Sequence, residues 1–314
     1  MNNENVRSSD HVPVLLGPVI SGLNIRPDGI YVDGTFGRGG HSSEILKALG
    51  PDGRLLGIDR DPQAIAGVPE ELNADKRFDI KRDEIAHLKN IAIKAGLLGK
   101  VDGLLLDLGV SSPQLDESTR GFSFQSDGPL DMRMDPDSGT SAAEWISTAN
   151  EREIRNVLFE FGEEKRAVRI AKAIVAARAE NAITRTLQLA EIVSAAVPRG
   201  RQKKHPATRT FQAIRIFINR ELEQLDQALA ATAELLSPGG RLCVISFHSL
   251  EDRRVKRFMR NASRESEQYR GMPNVPKEHQ PPFRLIGKLI VATDAETNEN
   301  PRARSARLRI AERT

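Results

Sequence analysis

The chain has 314 residues, of which 39% are hydrophobic and 28% charged, a balance that excludes wholesale disorder, collagen-like repeats and low-complexity scaffolds and leaves room for one large domain or two ordinary ones. Lysine and arginine exceed the acids by 46 to 43, a net charge of +3 that suits a nucleic-acid partner without requiring one. No run approaches the ~18 apolar residues of a membrane helix, Met1-Asn2-Asn3-Glu4-Asn5 lacks the pattern of a secretory signal, and one cysteine cannot form an internal disulfide; no membrane partner is expected, and the cytoplasm is the default location.

Pro27-Asp28-Gly29 marks a turn, residues 30–33 a strand, and a glycine-rich loop leads to a short helix through Ile45, Leu46 and Leu49. Gly50-Pro51-Asp52-Gly53 stops that helix, and Leu55-Leu56-Gly57-Ile58-Asp59 reads as a second buried strand. Strand, helix and strand within about thirty residues is the βαβ signature of a parallel sheet. The alternation continues with a weaker strand over 78–80, a helix carrying Ile85, Leu88, Ile91 and Ala95, and a central strand Gly103-Leu104-Leu105-Leu106-Asp107.

From Gly109 to Ser141 the periodicity dissolves into Gly, Ser, Pro and Asp, a stretch too long for an ordinary connection. Three helices follow, through Ile154, Val157, Leu158 and Phe161, then Val168, Ala171, Ile174 and Val175, then Leu189, Ile192 and Val193. One long helix through Phe211, Ile214, Ile218, Leu222, Leu225 and Leu229 is expected to stop at Ser237-Pro238-Gly239-Gly240, ahead of an apolar strand over 242–247. Residues 289–291 and 306–310 read as a paired edge, and Pro273, Pro276, Pro281 and Pro282 as a mobile surface loop. The pattern predicts an α/β fold with an inserted all-helical domain: 1–112 and 209–314 form the two parts of the sheet domain, and 113–208 the insert.

The glycine loop, Asp33-Gly34-Thr35-Phe36-Gly37-Arg38-Gly39-Gly40-His41, lies between a strand and a helix, where glycines let backbone N–H groups approach a ligand. Ser42 stands where a dinucleotide fingerprint has its third glycine, which weakens a nicotinamide reading. Asp33 and Asp59, at successive strand ends, suit a ligand with an ammonium group and a free ribose diol, and S-adenosylmethionine has both. His41 stands between two readings, ligand contact and helix-start polar group.

These residues resemble the bacterial methyltransferases of the MraW/RsmH type, which modify N4 of a cytosine in small-subunit ribosomal RNA. The likeness runs through His11-Val12-Pro13-Val14-Leu15, the glycine loop, Gly57-Ile58-Asp59-Arg60-Asp61, Leu106-Asp107-Leu108-Gly109-Val110-Ser111-Ser112-Pro113-Gln114 and Arg120-Gly121-Phe122-Ser123-Phe124. It continues through His205-Pro206-Ala207-Thr208-Arg209, Ser246-Phe247-His248-Ser249-Leu250-Glu251-Asp252-Arg253 and Asn300-Pro301-Arg302-Ala303-Arg304-Ser305. The resemblance implies a Rossmann-like class I S-adenosylmethionine-dependent sheet, with the insert recognising substrate. It also implies cofactor contacts from Gly39, Gly40, His41, Asp59, Ile85, Asp107 and Gln114. Ile85 stands where the family tends to have phenylalanine beside the adenine, so it packs on the base without an aromatic stack. No metal is assigned.

Transfer to an exocyclic amine needs a polar acceptor that holds the amine N–H; Asp107 and Ser112 are the candidate catalytic residues, with a turn serine as the alternative for Ser112. His248 either positions substrate or is satisfied within its loop. Methylation at pyrimidine carbon 5 requires a cysteine nucleophile, and the sole cysteine, Cys243, falls inside an apolar strand. Residues 127–164 carry ten acids and three bases, whereas 199–220 carry seven Lys/Arg and no acid. Two further basic clusters, Arg253, Arg254, Lys256, Arg257, Arg260 and Arg264, then Arg302, Arg304, Arg307 and Arg309, complete a pattern that fits ribosomal RNA, free or in the small ribosomal subunit. The competing readings are a non-catalytic RNA-binding assembly factor and a nicotinamide-dependent oxidoreductase. The sequence leaves the oligomeric state open, a homodimer being one option.

Overall fold

The computed structural model describes residues 13–197, 205–265, 267–269, 276 and 279–314. His11, Val12, Arg199, Arg201, Lys203, Lys204 and Pro273 lie outside the described residues. Two compact units divide the chain: the first comprises Met1–Asp59, Gln63–Leu108 and Asp226–Thr314, the second Arg60–Pro62 with Gly109–Leu225. The second unit therefore takes in residues on both sides of the expected 113–208 insert.

The elements run in chain order as α1 (Leu16–Leu23), β1 (Ile30–Asp33), α2 (Gly40–Ala48), β2 (Arg54–Asp59), α3 (Pro62–Ala66), α4 (Glu70–Asn73), β3 (Phe78–Arg82), α5 (Leu88–Lys94) and β4 (Val101–Asp107). The next are α6 (Ser112–Asp116), α7 (Ala142–Thr148), α8 (Glu151–Gly162), α9 (Ala167–Glu180), α10 (Thr186–Ala196), α11 (Thr208–Ile218) and α12 (Glu221–Leu235). Then come β5 (Leu236–Ser246), α13 (Ser249–Ala262), β6 (Phe283–Leu285), β7 (Ile290–Val291), α14 (Asp294–Glu299) and β8 (Arg307–Arg313).

In the first unit the sheet order is β3-β2-β1-β4-β5-β8-β6, with β7 also paired to β8. Strands β1 to β5 are mutually parallel, and β8 runs antiparallel to its neighbours. The predicted α/β, Rossmann-like sheet is thus present, and its order reverses between β1 and β4, where ligands of open parallel sheets bind beyond the carboxyl ends. β4 carries the apolar run Leu104-Leu105-Leu106, all three fully buried, as expected of a strand covered on both faces. The expected edge pair of 289–291 with 306–310 forms as β7 on β8. The Ser237-Pro238-Gly239-Gly240 stop follows the end of α12 at Leu235 as expected, but its residues already open β5, at a register shift against β4 where Gly239 takes φ +83°.

The second unit is helical. Ile154, Val157 and Leu158 of α8, Ile170, Ala171 and Ile174 of α9, and Leu189 and Val193 of α10 share one core with Phe211 and Ile214 of α11. Val168, expected on the buried face of α9, is 52% exposed; Ala167 and Ile170 are buried in its place. The single long helix expected over 211–229 is two helices, broken at Asn219-Arg220, where Arg220 takes φ +50°. Buried Asn219 makes the break: its Nδ2 donates to Met132 O (2.7 Å) and Arg215 O (2.9 Å), while its Oδ1 accepts from Met134 N (2.8 Å) and Arg60 Nη2 (2.7 Å). Neither proline nor glycine marks this position, so the helical period runs through it unbroken in the sequence.

Candidate active site

In the first unit the glycine loop is fastened on three sides. Gly34 N donates to Leu105 O of β4 (2.9 Å), Phe36 N to Ile58 O of β2 (2.9 Å), and Gly37 N to Asp59 Oδ2 (2.8 Å). Asp59 thus ends β2 against the loop, half-buried. Gly37 has φ +56° and nothing but Thr35 O, at 3.9 Å, near the position of a Cβ, so this is where backbone lies open to a ligand. Gly39 and Gly40 have packing reasons instead: a Cβ would stand 2.7 Å from Phe36 Cζ at Gly39 and 2.5 Å from Pro13 Cγ at Gly40.

Asp33, read from sequence as a partner for a ligand's ammonium, is spent inside the protein. It is 1% exposed; its Oδ2 accepts from Ser42 Oγ (2.7 Å) and its Oδ1 from Thr35 N (3.1 Å). Burial pushes its carboxyl up to about 6, against the pull of the Ser42 and Thr35 hydrogen bonds. Ser42, noted only for not being glycine, is the residue that anchors this acid.

His41 is buried, not a surface cap. Its Nε2 lies 3.1 Å from Val14 O, and because a carbonyl only accepts, Nε2 carries the hydrogen and Nδ1 is left as an acceptor. Nδ1 faces Asp107 Oδ2 at 3.5 Å. Burial lowers the imidazole pKa to about 4, so the ring is neutral at physiological pH.

Asp107 ends β4. Its N–H donates to Thr35 Oγ1 (2.6 Å), and its Oδ1 is buried with no hydrogen-bond partner among the described residues. Burial first, then the negative charges of Asp33 and Glu251, hold its carboxyl well above the usual carboxylate range. Ile85, half-buried, opens a single 3-10 turn after β3, and its Cγ2 lies 3.6 Å from where a Cβ on Gly34 would stand, which places it beside the loop. The first unit therefore brings Gly39, Gly40, His41, Asp59, Ile85 and Asp107 to the loop and the carboxyl ends of β1, β2 and β4.

His248 has a local role at the start of α13: its Nδ1 accepts from Glu251 N (3.4 Å), while Glu251 Oε2 accepts from Phe247 N (2.8 Å) and His248 N (3.3 Å). Cys243 is buried in β5 with its thiol pushed up to about 12, which agrees with the exclusion of cysteine chemistry.

In the second unit Ser112 and Gln114 lie in α6. Gln114 Oε1 accepts from Ser111 N (2.9 Å), and its Nε2 donates to Asp61 Oδ2 (2.7 Å). Asp61 also pairs with Arg120 Nη1 at 2.9 Å, both side chains buried, and Arg120 Nη2 donates to Met134 O (2.9 Å) and Arg133 O (3.2 Å). Ser111, not Ser112, supplies the cap interaction.

The model of the MraW methylase family matches residues 8–314. The chain belongs to that family. It is 56% identical over 303 residues to Ribosomal RNA small subunit methyltransferase H of Coxiella burnetii, a match that covers 96% of this chain and 98% of the relative. Two solved structures align more distantly: an rRNA methylase of Streptococcus thermophilus (11% identity, 95% and 92% of the chains, TM-score 0.40) and TrmN of Thermus thermophilus (13% identity, 96% and 48%, TM-score 0.42). As a member of the MraW methylase family, the protein is an S-adenosylmethionine-dependent methyltransferase. No helix among the described residues is long and apolar enough to cross a membrane.

Three residues not singled out by sequence hold others in place: Thr35, whose Oγ1 accepts from Asp107 N in the first unit, and Asp61 and Arg120, which pair and hold Gln114 in the second. The basic clusters are also less free than the sequence indicates. Arg307 Nη1 (3.2 Å) and Arg309 Nε (2.8 Å) both pair with Asp252, Arg215 with Glu221 (2.8 Å) and Arg220 with Glu223 (2.6 Å). Arg253, Lys256, Arg257, Arg260 and Arg264 of the second cluster are exposed.

Proposed function

We propose that the protein transfers a methyl group from S-adenosylmethionine to the N4 exocyclic amine of a cytosine in small-subunit ribosomal RNA, in the cytoplasm. The observation that carries this reading is the carboxylate of Asp107, which ends the strand at the sheet's switch point with a buried oxygen that no described residue satisfies. A buried acceptor left unmet is costly, so the site fits a ligand that brings a donor or a positive charge.

S-adenosylmethionine supplies an electrophilic methyl on a cationic sulfur. Gly37 leaves the loop's backbone open to it, Gly39, Gly40 and His41 pack the loop into place, Asp59 accepts from its ribose hydroxyls, Ile85 packs against its base, and Asp107 orients the reacting end. Asp107 holds the amine N–H so that the nitrogen lone pair is turned toward the methyl. The helical insert and the basic residues carry the phosphate contacts, which fix register while the base is extruded.

Nucleoside mass spectrometry of small-subunit RNA, with and without the protein and labelled donor, tests the reading. N4-methylcytidine carrying the label is expected. Label on a ribose or on another base, or none on free RNA or assembled small subunits, overturns it.

A further inference from the structure

Asp107 Oδ2 and His41 Nδ1 are two acceptors facing each other at 3.5 Å. His41 cannot reverse its ring roles, because Nε2 must keep its hydrogen for Val14 O, 3.1 Å away. The charged groups that act on Asp107 are all acidic: Asp33 from β1 and Glu251 from α13. Among the described residues no lysine or arginine pairs with it, and its Oδ1 has no donor. A lone negative charge in this place is opposed by burial and by its neighbours, and either a proton or a bound cation relieves it.

We propose that Asp107 and His41 together hold one proton in the donor-free protein, give it up when the cationic methyl donor binds, and regain it from the N4 amine during transfer. This rests on the reading of the first unit as the S-adenosylmethionine site. The balance closes over one turnover. The N4 lone pair forms the new N–C bond while the C–S bonding pair returns to sulfur, which becomes neutral. The nitrogen, now positive, keeps the electron pair of one N–H bond as that proton passes to Asp107. The protein ends protonated beside a neutral thioether and a neutral N-methyl cytosine, and the next cationic donor expels the proton to solvent. Loss of the sulfonium charge thus restores the carboxylate's affinity for a proton at the moment the amine must release one, and Asp107 acts as a catalytic base without needing a basic pKa beforehand. The raised carboxyl of Asp107 and the neutral His41 ring agree with this direction.

Isothermal titration calorimetry of the whole protein in buffers of unlike ionisation enthalpy, between about pH 5 and 8, counts the protons exchanged. S-adenosylmethionine and S-adenosylhomocysteine are each titrated into the wild type and into Asp107→Asn, the variant cancelling protons that come from the ligands themselves. After that subtraction, S-adenosylmethionine is expected to release close to one proton per site near the lower end of the range, and S-adenosylhomocysteine markedly fewer. Equal release with both ligands, or none with either at any pH, overturns the proposal. If the variant does not fold, infrared difference spectra of the wild type decide. A protonated-carboxyl band that disappears on adding S-adenosylmethionine and stays on adding S-adenosylhomocysteine supports the proposal; a band unmoved by both overturns it. Absence of any binding heat with S-adenosylmethionine overturns the cofactor reading, and this inference with it.

Discussion

Asp33 and His41 lie within the same loop and helix start yet titrate in opposite senses. Folding raises the Asp33 carboxyl from 3.8 to about 6. The folded state therefore binds that proton more tightly, and the associated stability, full below about pH 4, is lost as pH rises through about 6. Folding lowers the His41 imidazole from 6.5 to about 4, so its contribution is full above its unfolded value and is lost as pH falls through about 4. At ~1.36 kcal/mol per unit each effect is on the order of 3 kcal/mol, and the two oppose each other between about pH 4 and 6.5. Urea unfolding across that window is expected to show Asp33→Asn gaining on the wild type as pH rises, whereas His41→Gln loses ground. A constant offset between Asp33→Asn and wild type at every pH would refute the assignment of Asp33. At Asp59, replacement by alanine removes a carboxylate that accepts from Gly37 N at 2.8 Å. Calorimetry is expected to show S-adenosylmethionine binding weakened by about 1–3 kcal/mol in the folded variant, and unchanged affinity would take Asp59 out of the site.

Between Gly109 and Ser141 the second unit has little regular structure, and a single arginine gathers much of it. Arg120 ties the Asp61 carboxylate to the carbonyls of Arg133 and Met134, and Asp61 in turn holds Gln114 of α6. Truncating one partner of a buried pair leaves the other charge uncompensated, at a cost of about 3–5 kcal/mol. Arg120→Ala is accordingly expected to lower the thermal midpoint of the protein by several degrees, and an unchanged melt would show that the loop is held by other contacts. This network marks the limit of what the sequence discloses. The strands with apolar runs, 30–33, 55–59 and 103–107, announce themselves because burial on both faces demands such residues. So do the loop between the first two and the acids that close them. The capped turn at Ser111 and Gln114, the Asn219 break between α11 and α12, and the demotion of Asp33 from ligand partner to internal anchor depend on residues distant in the chain. No local pattern encodes those interactions. The eight-residue α1 and the longer α13 are equally hidden, the second because its charged face dominates its composition and its buried face is only Leu250, Glu251, Asp252, Val255 and Met259.

For the molecule as a whole, charge governs how an RNA substrate is met. Lys203 and Lys204, outside the described residues, belong to a stretch with no acid of its own, whereas Arg215, Arg220, Arg307 and Arg309 are already engaged by carboxylates. Neutralising Lys203 and Lys204 together is expected to weaken RNA binding and flatten its log–log salt dependence by about one unit for each phosphate that is no longer neutralised, with donor affinity spared. Filter binding over a range of salt checks this, and a double variant with wild-type affinity and slope would assign those lysines to solvent alone. The sheet carries a consequence of another kind. β5, whose Leu242, Cys243, Val244 and Ile245 are all fully buried, is bordered by β8 at residues 307–313. During synthesis β4 and β5 leave the ribosome long before β8 does, so an apolar strand edge stays unpaired for the time taken to add some sixty residues. That interval, seconds at about 5–20 residues per second, is when a nascent chain of this topology is most exposed to edge-to-edge association. A stalled or prematurely released chain lacking β8 would be a client for chaperones and proteases, with Asp33, Asp59 and Asp107 already made and nothing to close the sheet beside them.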